Sequence, residues 1–273
     1  MTAKKKTEPI RPAGWVQDPK PGHSGVKSNR IPSPECPLFI GGDVSLNHSG
    51  FVELDITGAM TRCYFVTARK TAVTKNQTTR HHGRHIYWPG KSDKHPEREE
   101  RSVIRLDSHV GLAMGFFIPF VNPQPRSVYV AIEEYAYNSQ AQTFSRAEVQ
   151  GALKRELFRW GFAQRYHDPT SVKMFATNHG HAQKEEIQLH VAEQDMAAFS
   201  IIMKSTPFPE AQEDLCDAWV LAQMVRKEWL VRAGALDMRS VTDGERRVFN
   251  RTTKTNPINV LDRPWIQRPE VKA

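Results

Sequence analysis

The 273 residues carry 38 Lys and Arg against 30 Asp and Glu, a net charge of +8, with 39% hydrophobic and 25% charged residues. Such a composition can bury a real core, and no stretch approaches the ~20 apolar residues that a bilayer span requires. The start, "MTAKKKTEPIRPAGW", lacks the apolar run of a secretory signal, and Cys36, Cys63 and Cys216 form no CxxC pair. A disulfide framework and a zinc site are therefore not expected, and a reducing, cytoplasmic setting is. The positive charge favours a polyanionic partner, nucleic acid first.

Residues 1–35, rich in Lys, Pro, Gly and Ser, read as a flexible basic arm. "PLFIGGD" and "GFVELDI" read as strands joined by the turn "VSLNHS", and "TRCYFVTA" as a third strand returning antiparallel. A basic interval from Lys70 to Lys94 follows, where "RHHGRHIYW" places Arg80 and Arg84 among histidines and aromatic rings. Apolar spacing of three and four predicts a helix over about 96–118. "PRSVYVAIEEYA" is a short run of β-formers that ends in acid, the pattern of a buried strand. "SRAEVQGALKRELFRWGF" reads as a helix with Ser145 as N-cap. "SVKMFA" reads as a short strand leading through "TNHGH" into a helix from near Ala182. "PEAQEDLCDAWVLAQMVRKEWLV" reads as a long amphipathic helix, and 243–273 as a flexible basic tail. The order predicts an α/β fold, a mixed five-stranded sheet flanked by helices, in one domain over 36–242.

Three acids abut apolar runs where a merely solvated carboxylate is out of place. Asp43 ends the first strand, Glu133 follows "VYVAI", and Asp217 interrupts "LCDAWVLA". If the first and fourth strands are parallel neighbours, Asp43 and Glu133 project at one edge of the sheet, where open α/β sheets present their ligands. Asp214 and Asp217, three apart on the last helix, share a face. Taken singly, acids in a first helical turn need only the helix dipole to explain them. Together the four carboxylates form an oxygen-rich site suited to Mg²⁺ or Mn²⁺, and two such ions can flank a phosphodiester. Glu134 is the alternative to Glu133, since alternate residues face opposite sides of a strand.

In order and rough spacing, "FIGGDVSLNHSGFVEL", "YVAIEEYAYN", "VKMFATNHGHAQKEEI" and "DLCDAWVLAQ" resemble the RuvC-type Holliday junction resolvases, which are ribonuclease H-like nucleases. The resemblance covers about residues 37–231 and is to a divergent, phage-like member, placed in the host cytoplasm if phage-encoded. It implies a ribonuclease H-like sheet and a homodimer that makes paired symmetric nicks in branched DNA with two Mg²⁺ or Mn²⁺ ions. The catalytic acids it implies are Asp43, Glu133, Asp214 and Asp217. It also implies DNA contacts from Lys173 and Lys184. Tyr135, Tyr137 and Phe144 are placed to stack on unpaired bases, and the helix within "RSVIRLDSHVGLAMGFF" has apolar residues that can supply the dimer interface. Arg80 and Arg84 add phosphate contacts. The sequence departs from the family at Asn47 and His48, in a turn usually richer in glycine, at Asn178 where glycine is expected, and in the long basic interval.

Other readings stay open at this level. The same fold acts on flaps, forks or RNA–DNA hybrids, and a factor with degenerate acids would bind branched DNA without cutting it. "IGGDVSLNHSG" also suits an actin-like or sugar-kinase phosphate turn, although no second glycine-rich phosphate loop is present. His81, His82, His85, His179 and His181 lack partners at ligand spacing and suit phosphate contact or solvent exposure.

Overall fold

The computed structural model describes residues 36–45, 48–67, 98–118, 127–134, 143–206, 208–254 and 256–268. Five strands, β1 (Leu38–Val44), β2 (His48–Leu54), β3 (Met60–Thr67), β4 (Val128–Glu133) and β5 (Ala163–His167), form one sheet in the order β3-β2-β1-β4-β5. β2 runs antiparallel to both β1 and β3, whereas β1, β4 and β5 are parallel. Helices α1 (Arg98–Phe117) and α2 (Thr143–Arg159) cover one face. The other face carries α3 (Pro169–Thr177), α4 (Lys184–Gln194), α5 (Met196–Ser205), α6 (Pro209–Arg232) and α7 (Asp243–Phe249). This is an α/β architecture, a mixed five-stranded sheet flanked by helices, as the order of elements in the sequence predicts. No helix among the described residues is long and apolar enough to cross a membrane.

Two cores follow from the strand alternation. Ile40, Val44, Val130 and Ile132 point towards α1 and α2, while Phe39, Val52, Ala131 and the apolar side of α6 fill the opposite core. β1 is central and buried throughout because both of its faces are covered. α6 lies directly on β1 and β2, and Gly41 is what lets it come so close. A Cβ at Gly41 would stand 1.9 Å from the Ala218 carbonyl oxygen and 2.4 Å from the Ala222 nitrogen. Gly41→Ala is therefore expected to push α6 outward and destabilise the fold by about 1–3 kcal/mol. Gly111→Ala, with nothing within 4 Å of the added Cβ on an exposed position of α1, should be neutral or slightly stabilising. Thermal melts of the two variants check the contrast.

The apolar residues of α1 are largely used at home. Val110, Ala113, Met114, Phe116 and Phe117 are buried against the sheet, and Ile118 just beyond the helix is exposed.

The structure corrects three expectations. "SVKMFA" lies in α3 and is not a strand. Asp168 caps that helix by accepting from the Ser171 N–H at 3.0 Å, Pro169 fits its first turn, and the buried Ser171, Val172, Phe175 and Ala176 follow a helical period. The fifth strand is instead "AQRYH", whose inward Arg165 is matched by Glu228 of α6. Its Nε donates to Oε2 at 3.1 Å and its Nη2 to Oε1 at 2.6 Å.

The tail is not flexible over 243–268. α7 packs Val248 and Phe249 into the core, and a 3₁₀ turn, Val260–Asp262, follows. Ile266 pairs with Gln164 of β5 through N–H···O bonds of 2.8 and 3.1 Å. Arg165 and Arg232 hold the segment by donating to the carbonyls of Val260, Arg263 and Pro264. Finally, Ser145 is no N-cap, because α2 begins at Thr143 and Ser145 is already inside it.

Asn178 departs from the expected glycine without strain. It takes the left-handed conformation, φ 66°, that ends α3, a role asparagine tolerates, and its Oδ1 accepts from the Gly244 N–H at 2.7 Å.

Candidate metal centre

The site sits at the carboxyl edge of β1 and β4, under the N-terminal half of α6. β1 and β4 pair in register up to Gly42 opposite Ile132, so the next residues, Asp43 and Glu133, stand side by side at the strand ends. Both alternate onto the face that α6 covers, with Gly41 and Ala131 two residues before them. Glu134 falls on the next step and lines a separate polar cavity with Tyr166, His167, Asp168 and Arg251.

α6 brings Asp214 and Asp217 to the same place. A second close approach makes this possible. A Cβ on Gly50 of β2 would lie 2.7–2.9 Å from the backbone of Asp214 and Leu215, so a glycine there lets α6 settle with Asp214 over the sheet. Asp43 is 8% and Asp214 6% exposed, and Asp217 is partly buried. Asp43 and Asp214 are within hydrogen-bonding reach of each other. Asp43 Oδ1 is fully buried and has no hydrogen-bond partner among the described residues.

The electrostatics express this crowding. Burial, then the charge of Asp43, pushes the Asp214 carboxyl up to about 7, against the pull of His48. Burial, then Asp43 and Asp214, pushes Asp217 up to about 8, with Lys184 and Lys173 pulling the other way. Three carboxylates share a region that water reaches poorly, and among the described residues the cations near Asp217, Lys184 and Lys173, are on neighbouring helices.

Lys184 is the first residue of α4, and its ammonium contacts the Glu213 carboxylate. Burial alone would lower Lys184, but Glu213, Asp214 and Asp217 together raise it. Lys173, in α3, is partly buried on the same side.

His48, at the start of β2, was legible only as a departure from the family turn. Its Nδ1 meets Asp214 Oδ2, a contact between residues 166 apart in sequence. The turn that places it is tightly built. The Ser45 N–H donates to the His48 carbonyl at 3.1 Å and to Ser49 Oγ at 3.1 Å, and Ser49 Oγ lies 2.8 Å from His109 Nε2.

Tyr135, Tyr137, Arg80, Arg84, His81, His82 and His85 lie outside the described residues, and so does the side chain of Phe144, in the first turn of α2. His179 and His181 are exposed, the former 3.1 Å from Glu186 Oε1.

Among the described residues, no three or more His, Cys, Asp or Glu side chains are spaced to hold one ion as they stand. The donor chemistry nonetheless fits a hard divalent cation. The donors are carboxylate oxygens, one is buried and unpartnered, and two carboxyls are raised by burial and then by a mutual repulsion that a cation would remove. A thiolate is not part of this set, since burial raises Cys216 to about 12 and Cys63 to about 11.

No family model matches the chain, and no curated protein matches it. Among solved structures the chain is similar to T. thermophilus RuvC in complex with Holliday junction substrate, at 20% identity and a TM-score of 0.42. That match covers 73% of this chain and 97% of the other. It is also similar to a Thermus thermophilus RuvC structure, at 23% identity and a TM-score of 0.41, covering 72% and 97%. Likenesses this distant assign no residue of this chain a role.

Proposed function

We propose that the protein is a metal-dependent, structure-selective DNA endonuclease that resolves four-way junctions by paired nicks. The observation that carries this reading is the convergence of Asp43 with Asp214 and Asp217 at the end of a buried strand, with Glu133 in register beside it. Asp43, Glu133, Asp214 and Asp217 are the residues that would hold the metal. Divalent ions bound there would supply electrostatic stabilisation of the phosphodiester and an activated water for in-line attack.

The chain's own residues set the rest of the chemistry. Asp43 is held rigidly by β1, which is paired on both sides, so its carboxylate keeps its position when the substrate arrives. Lys184 and Lys173 place positive charge beside the acids, where the backbone of a DNA strand would lie. Lys184 is shared with Glu213 in the free protein and would exchange that partner for phosphate. The four-way junction as substrate follows the motif resemblance. Two symmetric nicks require two sites, so the acting form is a homodimer.

The test offers the protein a labelled four-way junction, a flap and a duplex of matched sequence, with Mg²⁺ or with EDTA. Paired nicks placed symmetrically about the crossover and dependent on Mg²⁺ are expected. Preferential Mg²⁺-dependent cutting of the flap would replace the substrate and keep the nuclease. Binding without cutting in Mg²⁺ or Mn²⁺ would leave a non-catalytic binding factor.

A further inference from the structure

We infer that His48 is a positioning residue of the metal centre, which fixes the Asp214 carboxylate for metal binding through its Nδ1. The inference rests on the nuclease reading above and extends it to a residue outside the carboxylate set.

Two features of β2 aim at the same helix turn. His48, Gly50 and Val52 alternate onto the α6 face. Gly50 admits the backbone of Asp214. His48 then meets the side chain of that residue, Nδ1 on Oδ2. The contact does not depend on a wandering loop end. His48 is bound into the β1–β2 turn through its own backbone, with its N–H donating to Ser45 Oγ at 3.2 Å and its carbonyl accepting from the Ser45 N–H at 3.1 Å. Ser49 Oγ donates to the Ser45 carbonyl at 3.0 Å and ties the turn to His109 of α1.

A carboxylate on a helix side chain has two free torsions, and a donor on one oxygen removes most of that freedom. With Oδ2 engaged by His48, the Asp214 carboxylate is fixed beside Asp43, its neighbour at the strand end. Side chains that orient ligating groups in this way typically contribute 10–100-fold to metal affinity.

The test measures Mn²⁺ binding directly, by the EPR signal of free Mn²⁺ during titration, for the wild type, His48→Ala, His48→Asn and His48→Gln. Thermal melts without metal confirm that each variant is folded. Asparagine Nδ2 can take the place of Nδ1, whereas the longer glutamine carries its amide where Nε2 stood. The expected result is a loss of about 10–100-fold in His48→Ala and His48→Gln, with His48→Asn recovering most of it. Unchanged affinity in His48→Ala would overturn the inference and leave the nuclease reading intact. Tighter binding in His48→Ala would overturn it too, making His48 a competitor for Asp214. Equal losses in alanine and asparagine would overturn it in favour of the imidazole as a direct ligand. A wild type that binds no Mn²⁺ would remove this inference and the nuclease reading together.

Discussion

Asp43→Asn is expected to lower Mg²⁺-dependent junction cleavage by at least ~10³-fold, a loss of about 4 kcal/mol of transition-state stabilisation. The substitution keeps the shape of the side chain and removes its charge. Asp43 is the acid that both other carboxyls feel, next to burial the main cause of their raised values. An amide there cannot balance the charge of a divalent ion, and its NH₂ group can donate to Asp214. The same change should therefore stabilise the metal-free protein, because it ends a repulsion in the fold. Junction affinity in EDTA should stay within a few-fold, since the lysines proposed to meet the backbone, Lys173 and Lys184, are untouched. Cleavage assays, gel-shift titration and a melt on one preparation read all three quantities. Retained cleavage with Asn at 43 would remove Asp43 from the reaction. Loss of cleavage with a lowered melting temperature would mean a damaged fold.

How much of this was legible beforehand depends on what held each segment in place. The three-strand meander and the buried fourth strand announced themselves because their apolar residues do the packing. Phe39, Ile40, Val52 and Val130 are buried as the pattern predicts. The acids were legible for the same reason, as charged residues where the pattern demanded apolar ones. "AQRYH" failed to read as a strand because its inward position is arginine. Among the described residues the pattern is satisfied by Glu228, 63 residues on, and by carbonyls from the tail.

α7 packs Val248 and Phe249 into the core, but beyond it the tail has no apolar stripe. Its order there comes from bonds donated by Arg165 and Arg232, together with the Trp265 ring under Arg165, 4.7 Å from its guanidinium carbon. α3 contains the β-formers Val172 and Phe175, yet it carries a helical signal. "DPTS" is a capping aspartate followed by proline at the first helical position, and that outweighs two β-forming side chains. The contact of His48 with Asp214 had no local signal, because nothing near either residue in the sequence points to the other.

The metal-free protein should lose stability as pH rises from about 6.5 to 9, and Mg²⁺ should restore it at the alkaline end. Asp214 and Asp217 have folded values raised to about 7 and about 8, far above those of an unfolded aspartate. Across this window the folded state holds protons that the unfolded state has already released, so stability falls as pH rises and levels off above the folded values. Two of the opposing groups act lower down. Burial, with Arg165 and Arg263, depresses His167 to about 3, so its unfavourable protonation acts only below the unfolded histidine value near 6.5. Asp168, where Ser171 and Arg251 outweigh burial, loses its contribution only as pH falls below the ordinary aspartate range.

Each proton carried in excess by the folded state changes stability by about 1.4 kcal/mol per pH unit, and about 1 kcal/mol moves the melting temperature by ~2–4 °C at this size. A fall of several degrees between pH 6.5 and 9 is therefore expected without metal. Saturating Mg²⁺ should reverse most of it at pH 9 and little of it at pH 6.5, because a cation binds the ionised carboxylates. Asp217→Asn should flatten the decline and weaken the rescue. A melting temperature that rises across this window in EDTA would show that the two carboxyls are already ionised and relaxed, and the case for a cation between them would fall.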